Sequence, residues 1–236
     1  MIQKKIHQIF FNIQNKKINE IKLFIQSRES HLKINNDFKY KLWNEKQCDK
    51  LIKNKMPQYY IFYKNLKFDI QRIDFMKYAI CYLKGGIYTD LDMVVIKNFT
   101  PLIHQKFFFH TFSHLSKTEK ISNDFFGCVK GWKGFKIFLD ELVDNYNDKI
   151  KIKVYDVWTA RFVLQTTGPR FLTKFLNKVM PSYKPQKLIY TKFYYKNKTN
   201  DKWKKLKKND YFMENFVSGS WLNSVNKNLK THKTFK

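Results

Sequence analysis

Residues 85–95, GGIYTDLDMVV, hold the side chains of this chain best suited to chemistry. The stretch has the apolar composition of a buried strand, yet it carries Asp90 and Asp92. On a strand, Tyr88, Asp90 and Asp92 share one face, while Thr89, Leu91 and Met93 share the other. Two carboxylates side by side in a crevice repel, so a cation is expected between them. Few, hard oxygen ligands suit Mg²⁺ or Mn²⁺, with water or a substrate's phosphates filling the other positions. That is chemistry for a diphosphate leaving group. In a chain with 19 acidic residues, about one acid-x-acid pair arises by chance, so the pair gains meaning only from its surroundings. An EF-hand is excluded, because no acid stands at the twelfth loop position from either aspartate.

Those surroundings begin with a helix. Ile70, Ile73, Met76, Ile80 and Leu83 recur at helical spacing and predict a helix over about 68–84, stopped by Gly85-Gly86. It carries Arg72, Asp74, Lys77 and Tyr78; Asp74 and Lys77, three apart, are surface neighbours. Taken alone, that pair reads as an exposed ion pair of little consequence.

Lys4–Asn12 reads as a buried strand, Ile18, Ile21 and Ile25 as a helix over about 16–28, and FKYKLW (38–43) as a half-exposed strand. Residues 107–112 and 124–131 read as further strands, 134–146 as an amphipathic helix, and Gly168-Pro169 as the start of another. KLIYTKFYY (187–195) is a late strand. This alternation predicts an α/β domain with a largely parallel sheet, whose ligands bind at the carboxyl ends of its strands.

The 236 residues, 43% hydrophobic, suffice for one sizeable core. Three cysteines without a CxxC argue for a reducing compartment. No secretory signal and no apolar run of membrane-spanning length is visible, which predicts a cytoplasmic protein. The net charge of +27 suggests nucleic acid, but of 46 basic residues only Arg28, Arg72, Arg161 and Arg170 are arginine. The lysines are spread along the whole length. A basic nucleic-acid-binding protein on an inactive enzyme fold stands as the alternative class. The basic, aromatic tract at 190–212 reads either as a solvated loop or as a hold on anionic membrane or an acidic acceptor. His110 and His114 have a zinc-compatible spacing, but lie in a strand-like segment with no glutamate after His110.

RIDFMKYAICYLKGGIYTDLDMVV resembles the signature of the family 32 sugar-nucleotide glycosyltransferases, R-x-D-x-x-R-Y followed by G-G-x-Y-x-D-x-D. That family includes yeast-type initiating α-mannosyltransferases and α-galactosyltransferases, with clostridial toxin glucosyltransferase domains as relatives. Arg72, Asp74, Tyr78, Gly85, Gly86, Tyr88, Asp90 and Asp92 match; Lys77 departs, standing where the pattern has arginine. KKIHQIFFN is similar to the family's amino-terminal strand, and NNDFKYKLWNE (35–45), SNDFFGCVKGW (122–132) and TTGPRFLT (166–173) resemble later blocks. ENFVSGSW (214–221) resembles the closing H-H-x-x-G-S-W, without its histidines.

The resemblance implies a GT-A fold: one Rossmann-like nucleotide-sugar-binding domain with a mixed, mostly parallel sheet. Residues 1–100 would form the nucleotide-sugar-binding half, and 101–236 the acceptor side with a carboxyl-terminal lid. It implies a metal-dependent, retaining transfer of a hexose from a UDP- or GDP-linked donor to a glycan, glycolipid or protein. Asp90 and Asp92 would hold Mn²⁺ or Mg²⁺, with Glu214 or Asn215 and Ser218 completing its shell. Asp74 and Lys77 would meet sugar hydroxyls, Phe10 the base, Tyr88 and Asn123 the donor, and Trp221 would close the site. Arg72 would hold the pyrophosphate or anchor its helix.

Overall fold

A computed structural model describes residues 1–12, 16–111, 121–151, 160–186, 189–191, 194–195, 198–199, 211–216 and 222. The first strand, β1 (Lys5–Phe10), is buried through its middle, as befits a strand covered on both faces. A 3-10 turn at Ile18–Glu20 precedes α1 (Lys22–Ile34), so the helix lies further along than the 16–28 isoleucine pattern predicts. Its buried stripe is Phe24, Ser27 and His31. Two of those three are polar, so a search for apolar periodicity passes over them.

Strand β2 (Lys39–Asn44) runs directly into α2 (Glu45–Lys55). Asn44 accepts from the Gln47 amide at 2.9 Å and Gln47 Oε1 accepts from the Asn44 amide at 3.2 Å, a reciprocal cap that starts the helix. A short α3 (Tyr60–Lys64) leads to α4 (Asp69–Lys84), whose residues Ile73 to Cys81 are all buried. Gly85, at φ 61°, and Gly86, at φ 108°, then turn the chain into β3 (Gly86–Thr89). A Cβ on Gly86 would lie 2.7 Å from the Lys5 carbonyl oxygen, so the pair allows both the left-handed backbone and the contact with β1.

The chain continues through β4 (Met93–Val95), β5 (Phe107–Thr111), β6 (Ile121–Cys128), α5 (Lys133–Lys151), α6 (Ala160–Thr166) and α7 (Pro169–Val179). Strands β7 (Ile189–Thr191), β8 (Tyr194–Tyr195), β9 (Lys198–Thr199) and β10 (Met213–Asn215) follow. The expected strand at 187–195 is represented by β7 and β8, and most of the basic tract at 190–212 lies outside the described residues.

The central sheet has the order β2-β1-β3-β6-β5. Strands β1, β2 and β3 are parallel, β6 is antiparallel to β3, and β5 is antiparallel to β6. Only β6 therefore opposes the rest, giving the mixed, mostly parallel sheet expected. Alternation sorts its side chains into two cores. Ile9, Tyr88, Phe109 and Phe126 face the layer of α2 to α7. Ile6, Ile87, Phe108 and Phe125 face Met93, Val95, Phe99 and Met213 on the other side. A smaller sheet, β4-β10-β7, lies within that second layer. No helix among the described residues is long and apolar enough to cross a membrane.

Candidate active site

The aspartate pair does not lie on a strand. Strand β3 ends at Thr89, and residues 90–92 turn the chain into β4, which belongs to the other sheet. Thr89 pairs with Phe125 of β6, whereas Met93 pairs with Asn215 of β10, so the chain must change sheets between them. The one-face rule that groups Tyr88, Asp90 and Asp92 thus fails beyond Thr89. A hydrogen bond joins two of them instead: the Tyr88 hydroxyl donates to Asp90 Oδ1 at 2.7 Å.

The turn is held by its backbone from three sides. The Asp90 N–H donates to the Asp124 carbonyl at 2.8 Å, and the Phe216 N–H donates to the Asp92 carbonyl at 3.0 Å. From β1, Gln8 Nε2 donates to the Asp90 carbonyl at 3.0 Å, to Thr89 Oγ1 at 3.0 Å and to Ser27 Oγ at 3.1 Å. Gln8 Oε1 accepts from the Tyr40 hydroxyl at 2.6 Å. His31 Nε2 also meets Thr89 Oγ1, at 2.9 Å. This buried network explains what the HQ dipeptide of β1 does. His7 Nδ1 accepts from the Trp43 indole at 3.3 Å, so its Nε2 carries the proton that reaches the Gly85 carbonyl at 2.9 Å. Burial lowers the His7 pKa to about 4 and the His31 pKa to about 3, keeping both rings neutral.

Helix α4 supplies the opposite wall. Lys77 lies 3.2 Å from Asp74 Oδ1 and 3.0 Å from Asp90 Oδ1, with its side chain 2% exposed. Its ammonium also sits 5.3 Å from the Tyr88 ring centroid, within cation–π range. Burial would push the lysine pKa down, but Asp90 and Asp74 more than offset it and hold the pKa above the ordinary value. The Asp74–Lys77 pair is therefore a buried clamp, not the exposed ion pair its spacing alone suggests. Asp74 Oδ1 accepts from Asn123 Nδ2 and its Oδ2 from the Thr167 hydroxyl, both at 2.9 Å.

Asp90 keeps 30% side-chain exposure. Its buried surroundings push its pKa up to about 7; Lys77 pulls it down, and Asp92 and Asp124 push it further up. Asp124 is buried among His110 Nε2, the Ser122 hydroxyl at 2.6 Å and Asn215 Nδ2 at 2.6 Å. Burial raises its pKa, and these donors overcome that and leave it lowered.

Arg72 lies beside these residues in sequence but is held elsewhere. Its guanidinium pairs with Glu45 and Asp69 at 2.5 Å each and covers the Phe11 ring, 5.3 Å from its centroid. Phe10, at the carboxyl end of β1, is half-buried and edge-on to Phe24. Glu214 and Asn215 are buried on β10, opposite Val94 and Met93. Ser218 and Trp221 lie outside the described residues. Asp124, Gln8 and Thr167 received no role from sequence, though each sits in a segment that carries the family resemblance. Asp124 directly follows Asn123, which was the available signal.

The donor set fits a divalent cation completed by a ligand. Asp92 and Asp124 push the Asp90 pKa up, a repulsion that a hard cation relieves. Among the described residues no three acidic, histidine or cysteine side chains converge into a self-sufficient cage. A two-carboxylate site finished by phosphate oxygens requires none.

Comparison with known proteins agrees with this geometry. Residues 22–109 match the family described as glycosyltransferase sugar-binding region containing DXD motif. An uncharacterized glycosyltransferase of Acanthamoeba polyphaga mimivirus is 33% identical over 56% of this chain and 49% of its own length. Inositol phosphoceramide mannosyltransferase 3 of Schizosaccharomyces pombe is 28% identical over 73% of this chain and 44% of its own. A mannosyl phosphorylinositol ceramide synthase of Saccharomyces cerevisiae is 29% identical over 63% of this chain and 36% of its own. The matches thus span half or less of these relatives. Among solved structures, the PaToxG glycosyltransferase superposes with a TM-score of 0.57 at 19% identity, covering 76% of this chain and 70% of its own. Mouse xyloside xylosyltransferase 1 gives 0.52 at 9% identity over 93% of this chain and 99% of its own. At these identities the likeness establishes the glycosyltransferase fold.

Proposed function

Residues 22–109 match the family of glycosyltransferases whose sugar-binding region contains a DXD motif, and from that premise we propose a metal-dependent, retaining hexosyltransferase. Its donor is a UDP- or GDP-linked hexose and its acceptor a glycan, glycolipid or protein. The names of the fungal relatives favour mannose and an inositol phosphoceramide-like glycolipid. The lysine-rich exterior suits such an acceptor at an anionic bilayer, where each basic residue near the surface adds about 1 kcal/mol of attraction.

The observation that carries this reading is the convergence of Asp74, Lys77, Tyr88 and Asp90 around one buried ammonium. Asp90 and Asp92 would hold Mn²⁺ or Mg²⁺, with Glu214 or Asn215 adjacent on β10 and Ser218 as a further ligand. Bound there, such an ion acts as a Lewis acid that neutralises charge developing on the departing nucleoside diphosphate. Asp74, oriented by Asn123 and Thr167, accepts from a sugar hydroxyl; Lys77 adds positive charge beside the sugar and the phosphates. Lysine keeps the charge but not the planar fork of the family's arginine, so it discriminates hydroxyls less sharply. Phe10 would stack on the base, and Trp221 would close the pocket. Arg72 serves as the anchor of α4, since two carboxylates already hold it. The first 100 residues supply most of the donor side, and the remainder the acceptor side.

Retention is the outcome that the family resemblance implies, and it needs no covalent nucleophile. Asp74 and Asp124 each accept from three side chains, which lowers their nucleophilicity. Front-face departure through an oxocarbenium-like transition state is the route that the family resemblance implies.

The test is a panel of UDP- and GDP-sugars assayed for Mn²⁺-dependent hydrolysis without acceptor. Calorimetric titration of Mn²⁺ with UDP and with GDP accompanies it. One donor should be cleaved, and Asp92→Ala should abolish both cleavage and metal-dependent binding. Absence of binding, or binding indifferent to Asp92→Ala, sinks the proposal.

A further inference from the structure

Asp124 contacts two segments distant in sequence. Its carbonyl accepts from the Asp90 N–H at 2.8 Å, and its Oδ2 accepts from Asn215 Nδ2 across 91 residues of sequence. Its Oδ1 takes His110 Nε2 from β5 and the Ser122 hydroxyl from its own strand. A carboxylate only accepts, so the Asn215 side chain must turn its NH₂ end toward Asp124. Its carbonyl oxygen then faces the other way. Asn215 itself pairs with Met93, one residue before the Phe216 N–H that binds the Asp92 carbonyl. The orientation of this amide is thus set beside the aspartate turn.

We propose that Asp124, backed by His110, is a positioning residue that fixes the Asn215 amide and thereby presents its oxygen to the cation of the donor site. Groups that orient a metal's ligands by hydrogen bonds commonly change metal affinity 10- to 100-fold when removed. Asp124 is itself unsuited to be a ligand, because three donors already claim its oxygens. Histidine and serine supply two of those donors from the sheet, so the carboxylate is held rigidly against β10. The inference rests on the donor-site reading above.

The experiment is calorimetric titration of Mn²⁺ in the presence of UDP and of GDP, on the whole chain. The proteins are wild type, Asp124→Asn, Asn215→Ala and the double variant. Asp124→Asn keeps the volume but allows the Asn215 amide to flip, and should weaken Mn²⁺–nucleotide binding about 10- to 100-fold. The double variant should bind as weakly as Asn215→Ala alone, because Asp124 acts through that amide. A merely structural role would instead give losses that multiply. Multiplying losses, unaltered binding in Asp124→Asn, or unaltered binding in Asn215→Ala each overturns the proposal. Should Asp124→Asn fail to fold, Ser122→Ala removes one donor while leaving the carboxylate. It should weaken binding a few-fold in the wild-type background and not at all in Asn215→Ala; equal effects in both overturn the idea. If Asp92→Ala abolishes binding while Asp124→Asn leaves it unaltered, only this inference falls. If the wild type binds no Mn²⁺–nucleotide, both fall.

Discussion

Asp74 and Asp90 share one lysine yet occupy opposite environments. Asp74, on α4, has a side chain 5% exposed and bound by Asn123, Thr167 and Lys77. Asp90, in the turn, keeps 30% side-chain exposure and has its pKa raised to about 7 by its surroundings and by two neighbouring carboxylates. One carboxylate is sealed into a rigid wall; the other is held in place by its backbone while its charge lacks a full complement. The difference shows how a cluster of charged side chains can stay stable. Neutral donors and one ammonium satisfy the wall, and the uncompensated charge is confined to the edge where a ligand arrives.

Four experiments break or sharpen that contrast. The largest effect is expected at the edge. Asp90→Ala should lower turnover by roughly 10²–10⁴ while lowering the urea midpoint less than Asp74→Ala does, because Lys77 keeps Asp74 and the repulsion from Asp92 and Asp124 is relieved. A large loss of stability in that variant would erase the distinction. Asp74→Ala should instead cost about 3–5 kcal/mol of stability, since Asn123 and Thr167 lose their acceptor and Lys77 loses a buried partner. Chemical denaturation measures it.

Next comes pH. His7 and His31 are neutral in the folded chain, with pKa lowered by burial to about 4 and about 3. Below about 6.5 the unfolded chain binds protons that the native rings refuse, so stability should be complete above that pH. As pH falls toward 4 it should decline by up to about 1.4 kcal/mol per pH unit for each ring. Urea titrations between pH 7 and 4 read the slope, and His31→Leu should flatten it. The smallest change is expected for Gln8→Leu, which strips the donor beneath the Asp90 carbonyl and the acceptor of Tyr40. A loss of about 1–3 kcal/mol is expected, with a weaker KM effect than Asp90→Ala has on turnover. If Gln8→Leu proved as damaging to turnover as Asp90→Ala, the turn would depend on its support from β1 more than on its own carboxylate.

Much of this was legible in the primary structure. Asp74, Lys77, Tyr88 and Asp90 all come from one helix–turn–strand unit of fewer than 20 residues, so their spacing nearly guarantees that they meet. The helix pattern and the glycine stop placed that unit correctly. The failures have particular causes. The apolar run predicts strand at Asp90–Asp92, because a change of sheet leaves no mark in it. The isoleucine pattern places α1 too early, because its buried face is partly Ser27 and His31. Apolar periodicity passes over α2, although the Asn44–Gln47 cap announces it. A lone acid beside Asn123 has no periodicity to betray it, which hides Asp124.

Local chemistry therefore determined the composition of the crevice: two acids after a glycine pair, an acid and a base one helical turn apart, and the backbone freedom to join them. The tertiary structure alone decided which charges are sealed and which are open. Burial and desolvation depend on whatever packs above each group, and here that cover comes from β6, α6 and β10, far along the chain. It also brought His110, Asp124 and Asn215 together, since sheet pairing between distant strands is not encoded in the spacing of either.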